Sequence, residues 1–392
     1  MICSSKGHMI EKKWEIFLCT CVYLAVALLA ISDTGVQVFL LHTGIGNSRI
    51  LRKIAIALLF FKVFGTRYTK KEFFLIFPIM VMALYNYRVS GNTYCIYNIL
   101  TIACVKNIDF YKLFKVLFWS TLSALTIISV LSLMNIGGEV ALTKEFGRDK
   151  IQTRYCFGMY HPNVWHQAVS RCVVFGVLGY RNKMKWYQFG CVFVLSYVAY
   201  LLSLSRTGLL ATMLFLGFIV LYEYFPNIVK SIRTKIAIFI SAMAVYGVYF
   251  YFIYDFSVNT SEISMIFNQK FTNNRMVQAV YYLRMHPASI WGQSIRDDGT
   301  VFDCGFLRMF YESGYIFGIL IVAALLLLFC YSLKYNYGDY VAVILFMMLY
   351  GLFEAPTMTR PSYNILIFLM GFAFFEFTLN NRKRQDEVSV KQ

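Results

Sequence analysis

Long, nearly unbroken runs of apolar residues alternate with short polar segments along the whole chain. A run of about 17–25 apolar residues crosses the hydrocarbon core of a bilayer as a helix. The runs lack the strict alternation of apolar and polar residues that is typical of barrel strands, which favours helices. The pattern predicts an all-α, polytopic membrane protein with about twelve transmembrane helices, at 16–34, 50–66, 73–88, 92–106, 113–134, 161–180, 186–203, 207–225, 236–256, 305–331, 339–354 and 362–380.

Composition narrows the class of protein further. Hydrophobic residues make up 59% of the 392 residues and charged residues only 15%. This excludes a soluble globular protein, a disordered chain and a secreted disulfide scaffold. We therefore treat residues 1–392 as a single transmembrane domain, whose first span is an uncleaved anchor because no small-residue cleavage site follows it.

The basic residues predict the orientation of the spans. Clusters of Lys and Arg fall on alternate connections, at residues 12–13, 70–71, 112–115, 181–185, 230–235, 334 and 382–384. Positively charged short loops stay in the cytoplasm, so both termini are predicted to be cytoplasmic, with a flexible tail at 381–392. Two long connections, at about 135–160 and 257–304, then lie outside the cell membrane, and we expect short helices within the second.

The two sides differ in the kind of basic residue they carry. The predicted inner side has 16 Lys and 5 Arg, and the outer side has 4 Lys and 12 Arg. Arg presents a planar fork that matches phosphate and carboxylate groups, and it is costly at membrane depth. This excess indicates an outer site for an acidic or phosphate-bearing substrate; the alternative is that these Arg side chains anchor helices at lipid headgroups.

Two short polar segments mark the predicted site. Ser203 to Gly208 forms a tight connection at membrane depth, where Arg206 implies a charge partner. Arg154 precedes a second segment in which His161 stands before Pro162, a residue that is well tolerated in the first turn of a helix. His161 at the mouth of this span could accept a proton near pH 7, or bond a loop carbonyl; two further polar residues follow along the span, His166 and Arg171.

The long loop contributes the remaining candidates. Residues 274–285 are predicted to form an amphipathic helix on the membrane, with Arg275 and Arg284 as its cations and His286 at its end. Asp303 follows, before the tenth span. The loop also contains Arg296, Asp297 and Asp298, but adjacent acids in a Gly-containing loop are more often solvated than metal-bound, so we expect no metal and no other cofactor.

Two cysteines, Cys156 and Cys304, are the only ones predicted to be exposed on the outer side. They form either a disulfide or two free thiols.

The order of these segments resembles one family. A His-Pro-Asn helix start at residues 161–163, Ser-Arg-Thr-Gly at 205–208, and a long outer loop with a central Arg are similar to the O-antigen and capsular polysaccharide polymerases (Wzy-type), which share a superfamily with the O-antigen ligases. Asp303 to Leu307, with Glu312 and Gly314, looks like the pattern that closes their long loop. The ligases carry His-Asn where this chain has Asp303 and Cys304, which weakens the ligase alternative.

The resemblance implies a metal-independent glycosyltransferase in a bacterial plasma membrane. Its substrates would be oligosaccharide repeat units linked to undecaprenyl pyrophosphate, joined at the outer leaflet into capsular or O-antigen polysaccharide. A hydroxyl of one unit would attack the anomeric carbon of the growing chain and release undecaprenyl pyrophosphate. Arg206 and Arg275 are the first candidates to bind the pyrophosphate, followed by Arg154, Arg284 and His286. His161 is the candidate base or acceptor-positioning group, with Asp303 or His286 in reserve.

Other functions stay open. A ligase-like glycan transferase would use the same donor, and a transporter or flippase of lipid-linked sugars would also have about twelve spans. Transporters usually carry ionisable residues near the midplane, whereas the spans of this chain are almost free of charge at their centres. The expected partners are lipid-linked oligosaccharide and membrane lipid, with chain-length regulator and flippase proteins as further candidates, and no nucleic acid.

Overall fold

A computed structural model describes residues 2–36, 49–146, 151–294, 302–355, 358, 360 and 362–389. Arg296, Asp297 and Asp298 lie outside the described residues. The secondary structure is almost entirely helical, as the sequence predicts. The main helices are α1 (Ile2–Ile31, continued by a π-helix at Ser32–Val36), α2 (Arg49–Gly65), α3 (Lys70–Ser90), α4 (Tyr94–Cys104), α5 (Phe110–Leu133), α6 (Pro162–Tyr180), α7 (Trp186–Ser203), α8 (Arg206–Tyr224), α9 (Pro226–Val229), α10 (Ile232–Val258), α11 (Glu262–Phe267), α12 (Arg275–Met285), α13 (Gly305–Tyr335), α14 (Gly338–Phe353) and α15 (Ile365–Ser389).

Every predicted span falls on one of these helices. Within the described residues, seven helices are long and apolar enough to cross a membrane: α1, α3, α5, α7, α8, α10 and α13. Three shorter apolar helices, α4, α14 and the first part of α15, lie among them. The chain is therefore a helical membrane protein, while the number of twelve crossings stays a prediction. Large apolar side chains such as Phe64 and Leu327, 84% and 72% exposed, lie on the outside of the bundle, where lipid would cover them.

One element was not predicted from the sequence. The connection between α5 and α6 contains a two-stranded antiparallel hairpin, β1 (Ala141–Glu145) and β2 (Ile151–Tyr155), in which Leu142 faces Arg154. Its β-branched and polar residues alternate over only five positions per strand, which is too short for a secure prediction. The hairpin contacts the start of α6, because Phe146, the residue after β1, packs against His161 with ring centres 5.8 Å apart. It also contacts the start of α12, because the Nδ2 of Asn273 donates to the Phe146 carbonyl at 3.0 Å.

The helices place their connections at two ends of the bundle. At the loop end lie the last residues of α1, α3, α5, α7, α10 and α14 and the first residues of α2, α4, α6, α8, α13 and α15. At the turn end lie the connections α2–α3, α4–α5, α6–α7, α8–α10 and α13–α14. Contacts across each end support this division: Arg52 pairs with Asp33 at the loop end, at 2.7 Å, and Arg181 pairs with Glu223 at the turn end, at 3.0 Å. The Lys-rich connections are those of the turn end.

Helix α12 corresponds to the amphipathic helix predicted at 274–285. One apolar stripe, Met276, Ala279 and Val280, is buried against residues of α10, α13 and α14. Spacings of three and four residues place these side chains on one face. A second stripe, Val277, Tyr281 and Met285, is exposed, so α12 is docked on the protein and keeps another apolar face free for the membrane interface. Together with α11, it confirms the expectation of short helices in the long loop.

Helix α13 is broken where the long loop returns to the bundle. Gly314 has φ 81° and ψ 167°, so the backbone is not helical there. The amide of Tyr315 donates to the carbonyl of Ser289 at 3.2 Å, and that of Gln293 donates to the carbonyl of Tyr311 at 3.1 Å. The loop thus satisfies backbone groups that the break leaves without helical partners. A Cβ on Gly314 would overlap the Gly292 backbone, which explains why glycine is needed.

Candidate functional site

Arg275 is the centre of a charged cluster at the loop end. It is the first residue of α12, and its side chain turns into the protein. Its guanidinium contacts the carboxylates of Glu354 at 3.0 Å and Asp303 at 3.7 Å, and it donates to the carbonyl of Phe353. One sequence-predicted cation is thereby held between two acids, which come from the ends of α14 and of the long loop.

Glu354 is the most enclosed carboxylate of this cluster. It follows the last residue of α14, is only 6% exposed, and accepts a second hydrogen bond from the Nδ2 of Asn163 at 3.1 Å. Burial raises the pKa of the Glu354 carboxyl above its usual value; Arg275 opposes this shift, and the charge of Asp303 adds to it. A carboxyl in this state holds a proton more readily than one in water and is suited to proton transfer.

His161 lies at the start of α6, next to the same cluster. Its Nδ1 accepts a hydrogen bond from the backbone amide of Asn163 at 3.1 Å, so the imidazole caps the helix. Burial, together with the positive charges of Lys144, Arg275 and Arg154, lowers the pKa of His161 to about 4. The ring is therefore neutral at pH 7, with Nδ1 as acceptor and Nε2 carrying the hydrogen. His161 acts here as a hydrogen-bond donor, which suits positioning of an acceptor group better than removal of a proton.

Arg154 belongs to the hairpin that covers this region. Its guanidinium lies 4.2 Å from the centre of the Phe146 ring and donates to the Oε1 of Gln152 at 2.7 Å. The edge of His161 meets the same Phe146 ring, with ring centres 5.8 Å apart. Arg154 is thus beside His161, as its place in the predicted site requires, although it is 96% buried.

Arg206 begins α8 and is exposed. Ser205 precedes it, and its side chain makes no capping bond with the described residues of the first turn. Uncapped amides at a helix N-terminus attract anions, and Arg206 adds a full positive charge there. Its predicted charge partner is not found: among the described residues, no carboxylate lies within ion-pair distance of Arg206.

The first turn of α8 packs directly beside the charged cluster. A Cβ on Gly208 would overlap the imidazole of His166 and lie 2.7 Å from the Oη of Tyr350. His166 is on the first turns of α6, and Tyr350 is one turn before Glu354. The start of α8, which carries Arg206, therefore lies next to the helices that supply Asn163 and Glu354, although side chains two positions apart, as Arg206 and Gly208 are, do not share a helix face.

A layer of buried polar groups lies beneath this site. The Oγ of Ser170 contacts His166 at 3.3 Å and accepts from the hydroxyl of Thr212 at 2.9 Å. Deeper along α6, Arg171 is 1% exposed, donates to the Oγ of Ser362 at 3.3 Å, and stacks on the ring of Tyr363 at 3.3 Å. In turn, Ser362 donates to Asp33 at 2.6 Å.

Several atoms of this layer lack a hydrogen-bond partner among the described residues: the Nε2 of His166, the Oη of Tyr350, and the Nε and Nη2 of Arg171. Buried polar groups are normally satisfied by protein or ordered water, so the layer is expected to hold water.

Two of the predicted cations do not join the cluster. Arg284 is nine residues from Arg275, roughly 14 Å along α12, and donates to the carbonyl of Ser257. His286 ends the same helix and packs against Tyr282, with ring centres 5.0 Å apart. The structure thus joins Arg154, His161, Arg275 and Asp303, leaves Arg206 exposed at the nearby start of α8, and leaves Arg284 and His286 at the far end of α12.

The two cysteines left open by the sequence are both free thiols. Cys156 donates to the carbonyl of Glu139 at 3.2 Å, whereas Cys304 contacts the hydroxyl of Tyr249 at 3.0 Å. The disulfide alternative between them is therefore wrong. Within the part of the chain that the structure describes, no group of three or more His, Cys, Asp or Glu side chains is arranged to hold a metal ion.

Sequence reasoning missed three residues of this region: Glu354, Asp33 and Arg360. Arg360 lies 5.5 Å from the ring of Tyr363, on the face of the cluster that includes Tyr160. A usable signal existed for the acids. Asp and Glu number only 20 in 392 residues, so an acid at the predicted outer end of a span, as at positions 33 and 354, is itself an indication of function.

The fold and this site define the class: a polytopic helical membrane protein with a charged cluster at one end of its bundle. A comparison with models of known families found no match, and none of the curated proteins matches the chain. Membership of the polysaccharide polymerases therefore stays a prediction from the short segments named in the sequence analysis.

Proposed function

We propose that the protein is a polysaccharide polymerase: a glycosyltransferase that joins oligosaccharide units carried on undecaprenyl pyrophosphate, at the extracytoplasmic face of a bacterial plasma membrane. The observation that carries this proposal is that two helices which pack together carry complementary groups at the loop end: Glu354, a buried carboxyl with a raised pKa, at the end of α14, and Arg206, a cation without a described carboxylate partner, at the start of α8. A glycosyl transfer of this kind needs one group to take a proton and another to receive a leaving anion.

The carboxylates near each arginine decide the role that we assign to Arg275 and to Arg206. Arg275 is already close to two carboxylates, so it is a poor anion site and a good positioning residue for Glu354. Arg206 has no described carboxylate partner and stands at an uncapped helix N-terminus, so we assign the pyrophosphate to it. This differs from the sequence-based ranking, in which Arg206 and Arg275 shared that role.

The reaction then uses residues of this chain alone. Glu354 accepts the proton of the acceptor hydroxyl as its oxygen attacks the anomeric carbon of the donor. The bond between that carbon and the pyrophosphate oxygen breaks, and its electron pair leaves with undecaprenyl pyrophosphate. Arg206 and the amides of α8 stabilise the charge that develops on the leaving group. The Nε2 hydrogen of neutral His161 donates to an acceptor oxygen and orients it, while Asp303 is the second carboxylate that keeps Arg275 in place.

A transporter of lipid-linked sugars is the second candidate. The buried polar layer from Asp33 through Arg171 to His166 favours it, since ionisable residues inside a helix bundle are typical of transport pathways. The ligase-like transferase shares the chemistry above and differs only in its acceptor.

The deciding experiment uses the full chain in nanodiscs, lipid-linked oligosaccharide and EDTA. A ladder of longer products, with release of undecaprenyl pyrophosphate, supports a metal-independent polymerase. A single transfer to a different acceptor glycan supports a ligase-like transferase. Movement of the lipid-linked sugar across a vesicle membrane, with no ladder, supports the transporter and overturns the polymerase.

A further inference from the structure

A groove of about 580 Å³ opens beside the charged cluster, between the hairpin and the ends of α5 and α6. Its volume is within the range of about 300–1,000 Å³ that is typical of small-molecule sites. Six of the residues that form its walls carry the argument: Asn135, Gly137, Gly138, Glu139, Gly158 and Tyr160.

Two glycines allow the backbone that lines the groove to adopt positive φ values and close contacts that other residues would not tolerate. Gly138 and Gly158 have φ of 27° and 82°. A Cβ on Gly138 would meet the backbone of Gly158, and a Cβ on Gly158 would approach Ser132 to 3.0 Å. The Oγ of Ser132 fixes the same turn by donating to the carbonyl of Gly138 at 3.0 Å. The groove is therefore a built feature of the fold, held by close backbone contacts.

Tyr160 joins the groove to the charged cluster. The residue is 50% exposed, and its ring stacks on none of the aromatic rings that the structure describes. Partial burial raises the pKa of the Tyr160 phenol; Arg360 opposes this, and Tyr363, Asp303 and Glu354 add to it. The charges of the cluster thus act on the Tyr160 phenol. The same residue lines the groove and directly precedes His161 in the chain.

The charge of the lining separates this groove from the anion site. Glu139 is the only charged side chain among the residues that line it, and Glu139 is exposed. A pyrophosphate would be repelled by that carboxylate. A ligand rich in hydroxyl groups would instead donate to Glu139 and Asn135 and lay an apolar ring face against Tyr160.

We infer that this groove binds the neutral sugar residues of a glycan chain, with the end at Tyr160 delivering a hydroxyl toward Glu354. The inference deepens the proposed function by assigning the acceptor glycan to one place and the donor pyrophosphate to another. It rests on that function for the role of the glycan, but not for binding itself.

The test measures binding without transfer. The probe is the free repeat-unit oligosaccharide, released by mild acid from the lipid-linked pool of the bacterium that carries this chain, so it has neither lipid nor pyrophosphate. Saturation-transfer NMR with the full chain in nanodiscs gives its affinity. Tyr160→Ala should weaken binding by about tenfold, which corresponds to about 1.4 kcal/mol, because it removes the aromatic platform against which the sugar ring lies. Tyr160→Phe keeps the ring and should bind almost as well as the unchanged protein.

Matched controls come from the same hairpin. Tyr155→Ala removes a ring that is 40% exposed but does not line the groove, and Glu145→Gln is the counterpart of Glu139→Gln. Weakening by Tyr160→Ala and Glu139→Gln, with the controls unchanged, supports the inference. The inference is overturned if the unchanged protein does not bind the oligosaccharide. It is also overturned if Tyr160→Ala binds as tightly as the unchanged protein, or if the control variants lose as much affinity as Tyr160→Ala and Glu139→Gln. If the unchanged protein binds the glycan but makes no polymer ladder, the polymerase proposal is refuted, whereas the assignment of the groove as a glycan site still holds. The experiments therefore distinguish failure of one proposal from failure of the other.

Discussion

The two ends of the helix bundle differ in how their helix N-termini are capped. At the turn end, the preceding side chain caps α3, α5 and α10: Thr69 accepts from the amide of Glu72, Asp109 from that of Lys112, and Ser231 from that of Thr234. Three other helices, α7, α9 and α14, start at this end without such a bond. At the loop end, the residues before α4, α8, α12 and α13 make no such bond with described residues, whereas His161 caps α6 and Ser261 caps α11. Capping contributes about 1 kcal/mol per helix, so an uncapped start such as that of α8 forgoes stability and leaves its amides available.

The two ends also differ in their charged and buried polar groups. Lys106 contacts Glu72 at 2.5 Å at the turn end, and Arg181 contacts Glu223 and Asp339 there. The loop end has ion pairs too, such as Arg308 with Glu312 at 2.7 Å, but it also holds Arg206 without a described partner and unsatisfied atoms on Arg171, His166 and Tyr350. Amides, cations and carboxyls that the fold leaves unsatisfied are those available to a substrate. Exposed cations without a described carboxylate partner occur at both ends, Arg233 among them at the turn end, so it is the buried unsatisfied groups of the loop end that favour a substrate site there.

The largest effect is expected at Glu354. Glu354→Gln keeps the size and the hydrogen bonds of the side chain but removes its ability to take a proton, so chain extension should fall by about 10²–10⁴-fold. Product ladders from purified protein measure this, with Asp303→Asn as the comparison that should cost less. The rate of the unchanged protein should also fall on acidification, at a pH above the usual carboxyl pKa of about 4.3, because the Glu354 pKa is raised. Unimpaired extension by Glu354→Gln would remove it from the site.

The next largest effect on polymer synthesis is expected for Arg206→Lys. Lys keeps the positive charge but loses the planar fork, so polymer synthesis should fall by about 10–100-fold while the protein remains in the membrane. The same replacement at the turn end, Arg233→Lys, should leave polymer synthesis unchanged, because the orientation of the helices in the membrane depends only on the positive charge. If both variants behave alike in the ladder assay, the comparison between the two ends fails for the cations.

Gly208→Ala tests the packing of α8 against the site. The added methyl would overlap His166 and crowd Tyr350, so we expect a loss of about 1–3 kcal/mol in the free energy of unfolding, together with reduced activity. Gly217, on the same helix, has nothing within 4 Å of an added Cβ, and its Ala variant should be neutral or slightly stabilising. Thermal unfolding in detergent compares the pair; equal stability of the two variants would show that α8 does not pack here as described.

The smallest effect concerns His161 and pH. Its pKa of about 4 is below the unfolded value of about 6.5, so the unfolded chain binds the proton first and stability falls as the pH drops from 6.5 toward 4. His161→Asn keeps a capping acceptor but does not titrate. The unchanged protein should lose at most about 1–2 kcal/mol more than the variant between pH 6.5 and pH 5. Parallel unfolding curves for the two would contradict the burial of His161 next to Arg154 and Arg275.

The sequence by itself determined the helical membrane class and the positions of the helices, because the length and continuity of apolar runs are local properties of the chain. It also found most of the cations of the site, since Arg206 and Arg275 stand out against a Lys-rich opposite side. The start of α6 at Pro162 and the helix at Arg275–Met285 were read from local rules of the same kind.

Only the tertiary structure decided which of these residues act together. The ion pair of Arg275 with Glu354 joins residues 79 positions apart, and nothing local in either segment specifies it. The same holds for the state of His161, whose low pKa depends on charges brought by the hairpin and by α12, and for the groove at Tyr160, whose walls meet only when α5, the hairpin and α6 pack. Periodicity records which face of a helix is apolar, whereas the contacts that make a site depend on how distant faces meet.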